Sequence, residues 1–451
     1  EGGGEEEGER VRGAAATDGG DGRDIFEAIN EAFEGREASF VELDLVHSDG
    51  PMEAEMLEQL CGSSCSSDET FTIRKGAVVV IGDRLAIGQW CIPRLLRFVK
   101  QNLNDWATCQ DSSNVKQLIH LTRALLLIVA DHATAWNHRK RMIRGKHIEL
   151  LHEIDFINLV QTKFPKSQEV WSHRKWVVAN MLKSTDDVED FLEKEIQATA
   201  RAATLYPKNY YAWTHRYWVT TRMQSVPECE AKAEDVRRFC RLNVSDSAAH
   251  SFRTSLLAFR AYRWLEDGQR RDEHMVDMIR NELNHCITTL DQHPAHESVW
   301  IALQGVLHVC GQCLVDERVK VKIIPTIFLP LVGSSDLMEE LRAWELFLRD
   351  SKSSASSSGS QGSKWRARDL LLAWALQFAR SHVHFDDPTA TDNSHALRFA
   401  AKTLSKVDQQ NLLSSPHEKP VEAVLHLKAE ILRLLICVCP MQEQAWRSMA
   451  N

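Results

Sequence analysis

Several things missing from this chain narrow its class. No run of 18 apolar residues occurs among its 451, so no segment reads as a membrane-spanning helix. There is no basic excess: 54 Lys plus Arg against 63 Asp plus Glu gives a net charge of −9. That argues against a protein built to grip nucleic acid, because phosphate binding needs a basic face. The first residues show no basic stretch followed by an apolar one, the pattern of a secretory signal. No nucleophile elbow, phosphate-cradling glycine loop or H-E-x-x-H helix is present, which removes the stand-alone hydrolase and metalloenzyme classes. Tyrosine is scarce, at five, whereas tryptophan reaches 13. The eleven cysteines are odd in number and scattered. This fits reduced thiols in a cytoplasmic protein better than a disulfide framework. With 43% hydrophobic and 26% charged residues, the chain can bury a core.

Composition divides the chain. Residues 1–24 hold eight of the 21 glycines and almost no large apolar side chain, so they read as a disordered acidic tail. Residues 25–115 read as an N-terminal extension of helices with a short β-hairpin-like segment. There the run Ala77–Ile81 is followed by the turn signal Gly82-Asp83. A Cys/Ser-rich loop with Cys61 and Cys65 precedes it. Residues 351–363 (SKSSASSSGSQGS) have the composition of a flexible linker, and 364–451 read as C-terminal helices completing the architecture.

Residues 116–350 repeat themselves. W-x-H-R recurs at Trp136–Arg139, Trp171–Arg174 and Trp213–Arg216. A fourth copy places His250 in the Trp slot and keeps Arg253. A fifth keeps Trp300 and has Leu303 in place of Arg, and a possible sixth is marked by Trp446. Pro precedes Trp by six residues at Pro165, Pro207, Pro294 and Pro440. Leu150, Ile154, Ile157, Val160 and Phe164 have helical spacing, as do Leu192, Ile196, Thr199, Ala203 and Tyr206. Pro ends each of these helices because it lacks an N–H and its ring clashes with the preceding turn. Ser167 or Asn209 can cap the helix that follows. The expected fold is therefore all-α: a right-handed α–α superhelix, a solenoid of helical hairpins, with a small irregular N-terminal segment.

The tryptophans at this pitch read as packing between repeats. Arg139, Arg174, Arg216 and Arg253 read as structural, pairing with acids or helix-end carbonyls of the adjacent repeat. His138, His173 and His215 come from three different hairpins, too far apart to share one ion, so no metal is expected on this chain. Cys310-Gly-Gln-Cys313 is a lone C-x-x-C, half of a zinc site at most.

PKNYYAWTHRYWV at 207–219, with the W-x-H-R hairpins and the Trp300–Leu303–Gly305 pattern, resembles the α subunit of protein prenyltransferases. TKFPKSQEVWSHRKWV (162–177), VSDSAAH (244–250) and PAHESVW (294–300) resemble its divergent branch of α-subunit repeat-containing proteins. The resemblance implies an α subunit that scaffolds a barrel-shaped β subunit of the Rab geranylgeranyltransferase type. The β subunit would hold the zinc, a prenyl diphosphate would be the co-substrate, and the acceptor would be a protein cysteine near a C-terminus, such as that of a SNARE. It implies a catalytic, diphosphate-contacting role for Lys166, and substrate contact by Asn209, Tyr210 and Tyr211. A cation aimed at the departing diphosphate stabilises the transition state more than the ground state. The chain departs from the family's pattern at Gln168, where the family has Tyr, and at Glu169, where some members read the substrate carboxylate with Gln. A carboxylate there repels the ordinary C-a-a-X terminus. The alternative is a helical-repeat interaction scaffold that has given up the transfer role.

Overall fold

The computed structural model describes residues 22–34, 40–47, 50, 71–74, 76–107, 112–185, 187–223, 226–266, 273–313, 395–396 and 398–399. The tail at 1–21, the Cys61/Cys65 loop, the Ser-rich stretch 351–363, Pro440 and Trp446 lie outside the described residues, as do nearly all of the expected C-terminal helices. The chain divides into an N-terminal unit, Glu1–Val188, and a C-terminal unit, Glu189–Asn451.

The N-terminal unit opens on α1 (Arg23–Phe33), which buries Ile25, Phe26, Ala28, Ile29 and Ala32 along one face. Arg23 and Asp24, which composition assigns to the tail, form its first turn. Asp24 pairs with Arg94 at 3.3 Å, and Phe26 packs on Phe98 with ring centroids 5.2 Å apart. Gly22 makes this entry possible. It sits at φ 88°, and a Cβ there would lie 2.5 Å from the Arg94 carbonyl oxygen.

Four strands follow: β1 (Glu42–Val46), β2 (Phe71–Arg74), β3 (Val78–Ile81) and β4 (Arg84–Gly88), in the order β1-β4-β3-β2. β3 and β4 form a hairpin turning at Gly82 (φ 54°), with Val78 opposite Ile87 and Ile81 opposite Arg84. β1 joins parallel to β4, Leu43 beside Leu85, so the hairpin is the middle of a larger sheet. The sheet is tied to the helices beyond it. Leu43 N–H donates to Thr162 Oγ1 at 3.0 Å, and Lys163 pairs with Asp44 at 2.6 Å.

Helices then take over: α2 (Ile92–Ala107), α3 (Ser112–Leu126), α4 (Ala133–Arg144), α5 (Leu150–Lys163) and α6 (Gln168–Met181). The C-terminal unit continues with α7 (Val188–Leu205), α8 (Tyr210–Thr220), α9 (Val226–Leu242), α10 (Ser247–Glu266), α11 (Glu273–Gln292) and α12 (Glu297–Cys313). The architecture is a solenoid of helical hairpins, α5–α6 and α7–α8 being the clearest pairs. In α5, Ile154, Phe156, Ile157, Leu159 and Val160 are all buried, because the helix has neighbours on more than one side. α5 stops at Lys163 and α7 at Leu205, each two residues ahead of its proline. Ser167 Oγ accepts from Val170 N–H and Asn209 Oδ1 from Ala212 N–H, so both serve as helix caps. Replacing Asn209 with Ala will lower stability by about 1–2 kcal/mol, read as a shift in the urea midpoint.

α10 and α12 approach closely where α12 carries Gly305. A Cβ there would lie 2.4 Å from Thr254 Cγ2, which is why this helix interior has no side chain at that point. Among the described residues, no helix is long and apolar enough to cross a membrane.

Candidate functional site

The repeat signature is the interior of the molecule. Trp136, Trp171, Trp213 and Trp300 are all buried, and so are Arg139, Arg174, Arg216 and Arg253. Three of the indoles make the same bond. Trp136 Nε1–H donates to Ala130 O at 2.8 Å, Trp171 to Pro165 O at 2.8 Å, and Trp300 to Pro294 O at 2.9 Å. Each Trp thus ties its helix to the carbonyl six residues earlier, which is the proline's own for Trp171 and Trp300 and that of Ala130 for Trp136. The third repeat differs: its loop passes through Lys208 at φ 60°, and the Trp213 indole N–H has no acceptor.

The arginines meet partners that sequence spacing did not single out. Arg139 forms a fork to Glu153 on α5, with Nε–Oε1 at 2.9 Å and Nη2–Oε2 at 2.5 Å, and His173 Nε2 meets the same carboxylate at 2.7 Å. Burial alone would raise the Glu153 carboxyl, but the Arg139 charge and the His173 bond hold it at about 2. Burial wins at His173, whose imidazole is pushed down and stays neutral, donating to the carboxylate. Arg253 pairs with Glu282 on α11, Nε–Oε2 at 3.0 Å. Arg174 instead reaches two side-chain amides of α5, Asn158 at 2.7 Å and Gln161 at 2.8 Å. Arg216 lies against the Trp213 and Phe252 rings, 5.7 and 5.8 Å from their centroids. Burial pushes its guanidinium down to about 10 against the opposing charges of Asp235 and Glu193.

His215 pairs with Glu195 at 2.9 Å, as His173 does with Glu153, so these two histidines serve separate glutamates. Each acid immediately precedes an apolar residue of its helix, Glu153 before Ile154, Glu195 before Ile196 and Glu282 before Leu283, a placement that spacing alone does not tell from a solvated acid. Cys310 and Cys313 are both buried on α12, and burial raises the Cys310 thiol, which suits packing rather than reactivity.

The exposed residues among the candidate positions lie in or beside the inter-helix loops. Neighbouring loops are stitched sideways. Ser167 Oγ–H donates to Asp131 at 2.5 Å, Lys208 N–H to Asp246 at 2.8 Å, and Ser298 Oγ–H to the Val244 carbonyl at 2.7 Å. Lys166 stands exposed in its loop between Pro165 and the buried Ser167. Lys208 occupies the equivalent place between Pro207 and the buried Asn209, and is also exposed. Tyr210 is 63% exposed, with Tyr211 half-buried beside it, their ring centroids 5.5 Å apart. Asn209 is fully buried, its side-chain oxygen facing the Ala212 N–H rather than solvent. Lys166 belongs to the N-terminal unit and Asn209, Tyr210 and Tyr211 to the C-terminal one.

The model of the protein prenyltransferase alpha subunit repeat matches residues 150–181 and 192–223, which hold α5–α6 and most of α7–α8. The chain carries prenyltransferase alpha subunit repeats. It is similar to protein prenyltransferase alpha subunit repeat-containing protein 1-B of Xenopus laevis, 25% identical over 291 residues, covering 54% of this chain and 67% of that protein. It is 34% identical over 111 residues to protein prenyltransferase alpha subunit repeat-containing protein 1 of Homo sapiens, covering 25% of this chain and 28% of the human protein. The relative of that name in Danio rerio is 25% identical over 279 residues, and 65% of its length is spanned. The chain thus spans about two thirds of the length of the frog and fish relatives, and far less of the human one. The two repeats matched by the model contain both exposed lysines and both buried caps.

Proposed function

We propose that this chain is the alpha-type subunit of a heterodimeric protein prenyltransferase. It works in the cytoplasm with a β subunit of the Rab geranylgeranyltransferase type that carries the catalytic zinc. Its hairpins scaffold that subunit, and the exposed loop carrying Lys166 borders the diphosphate of a geranylgeranyl donor. The observation that carries this reading is the position of Lys166. It is an exposed cation in a loop held rigid by Pro165, by the Ser167 cap and by the Ser167–Asp131 bond, inside the matched repeat.

The transfer forms a thioether between the acceptor cysteine's sulfur and the isoprenoid's C1, while the C1–O bond breaks and diphosphate leaves with the electron pair. Negative charge grows on the leaving group, and a lysine ammonium beside it lowers the barrier. Lys is suited to this as a compact point charge. Tyr210 and Tyr211 offer an aromatic surface to the acceptor protein. Glu169, in the first turn of α6, disfavours a free C-terminal carboxylate at that place, which fits an acceptor such as a SNARE held through other contacts.

The test is reconstitution with the β subunit. Lys166→Ala should leave the one-to-one complex intact and slow single-turnover transfer by about tenfold, equal to about 1.4 kcal/mol. Unchanged rates would remove Lys166 from the chemistry. Failure of the wild-type chain to bind any β subunit at micromolar concentration would instead favour the interaction-scaffold reading.

A further inference from the structure

In the fourth repeat the tryptophan slot on α10 is filled by His250, and the histidine keeps the tryptophan's bond. Its Nε2 lies 3.1 Å from the Val244 carbonyl, six residues earlier, as the indoles of Trp136, Trp171 and Trp300 do with theirs. A carbonyl can only accept, so Nε2 carries the proton and Nδ1 is left with a lone pair. An indole has no second nitrogen to offer. A histidine whose far N–H is fixed on a backbone carbonyl is the usual arrangement of a metal ligand.

Two further ligand groups converge on it. Cys240 comes from the end of α9 and His285 from the middle of α11. One ligand atom from each of the three residues lies within 4.8 Å of the others, and all three residues are buried. The His250 and His285 rings are stacked, centroids 6.2 Å apart. His285 is 6% exposed, and its Nε2 has no hydrogen-bond partner, which is costly for a buried polar atom. Burial, with Arg253 and His250 nearby, pushes its imidazole down to about 2, so it presents a neutral ring. Arg253 pairs with Glu282 through Nε and Nη2 and also lies beside Cys240, so an ion entering the site must displace its contact with the thiol. Trp213, Val236, Ala249, Phe252 and Leu256 pack with Cys240 in one apolar cluster, which keeps bulk water away.

We propose that Cys240, His250 and His285 form a site for a transition-metal ion of the zinc class, built from this chain alone. One thiolate and two imidazoles suit Zn²⁺ and not the hard cations Mg²⁺ or Ca²⁺. Tetrahedral zinc needs its ligand atoms about 3.5 Å apart, as follows from Zn–N near 2.0–2.1 Å and Zn–S near 2.3 Å. The three ligand atoms lie within 4.8 Å of one another, so the side chains must draw in to hold the ion. Burial raises the Cys240 thiol to about 12, so binding expels its proton. The ion ties α9, α10 and α11 together where the repeat has given up its tryptophan.

The experiment is cobalt substitution in the full, chelator-treated chain. One equivalent of Co²⁺ should give a thiolate-to-cobalt charge-transfer band with tetrahedral visible absorption, and Zn²⁺ should displace it. Cys240→Ser should remove the charge-transfer band. His285→Gln should weaken binding at least tenfold, and His250→Trp, which restores the repeat's own residue and its carbonyl bond, should do the same in a folded protein. The double variant Cys310→Ser/Cys313→Ser should keep the band. Added Zn²⁺ should raise the wild-type melting temperature and leave that of His250→Trp unmoved. Absence of the band in the wild type, its persistence in Cys240→Ser, or a zinc-independent melting temperature would each overturn the site.

Discussion

Glu153→Ala will destabilise the N-terminal unit by about 3–5 kcal/mol, the largest effect expected of any single polar substitution here. The carboxylate is fully buried and serves two repeats at once: Arg139 before it and His173 after it. Its removal leaves a buried guanidinium without its counter-ion and an imidazole N–H without its acceptor. Glu153→Gln keeps the volume and one acceptor and should cost less. Urea unfolding followed by circular dichroism measures both, and equal midpoints for wild type and Glu153→Ala would show that the network contributes nothing. The network also sets a pH dependence. His173 is lowered in the folded state, so the unfolded chain takes up this proton first as pH falls below 6.5, and stability declines from there. Glu153 is held at about 2 against 4.5 in an ordinary carboxyl, so its contribution is full above 4.5 and fades as pH falls toward 2. Each pH unit within a group's window is worth about 1.4 kcal/mol. Glu153→Gln should lose the lower of these two phases.

Trp171→Ala should cost about 3–5 kcal/mol, because it empties a large buried volume that rigid neighbours cannot fill. Trp171 is 4% exposed, its indole bonds to Pro165 O, and Arg174 lies 6.0 Å from its ring centroid. Trp171→Phe keeps most of the apolar surface and gives up the hydrogen bond, so about 1–2 kcal/mol is expected there. Under the proposed function, and since that bond fixes the loop holding Lys166, Trp171→Phe should also slow transfer in the reconstituted complex without weakening the complex itself. A wild-type rate in a measurably destabilised Trp171→Phe would disconnect loop geometry from the reaction.

The helical hairpins were legible in the sequence because three independent signals coincide at the two clearest of them. Apolar residues at helical spacing, a proline stop and a Ser or Asn cap all mark the joint at Pro165–Ser167 and again at Pro207–Asn209. The sheet was legible only at β3 and its turn, where four apolar β-branched residues precede Gly82-Asp83. β1 was not, because Glu42–Val46 has only a single buried residue, Leu43, and its strand character comes from pairing with β4, 42 residues away. The buried tryptophans were expected as core. Their partners were not: Glu153 looks from sequence like one more solvated acid on a charged chain, and only the fold shows the guanidinium beside it. Asn209 had two readings, ligand or cap, and the structure shows the cap. Cys240 and His285 carry no motif at all, being separated by 45 residues and brought together by the stacking of α9, α10 and α11.

The sideways bonds between inter-helix loops make the hairpins poor cassettes. Ser167 borrows its acceptor from Asp131, Lys208 from Asp246, and Ser298 from Val244. Cutting the protein between any of these repeats exposes a half-made joint, so minimal fragments should be drawn to end outside a bonded pair of loops. Insertions follow the same logic: extra residues are tolerated in the turn from α4 to α5, on the far side of the hairpins, where none of these three bonds is made.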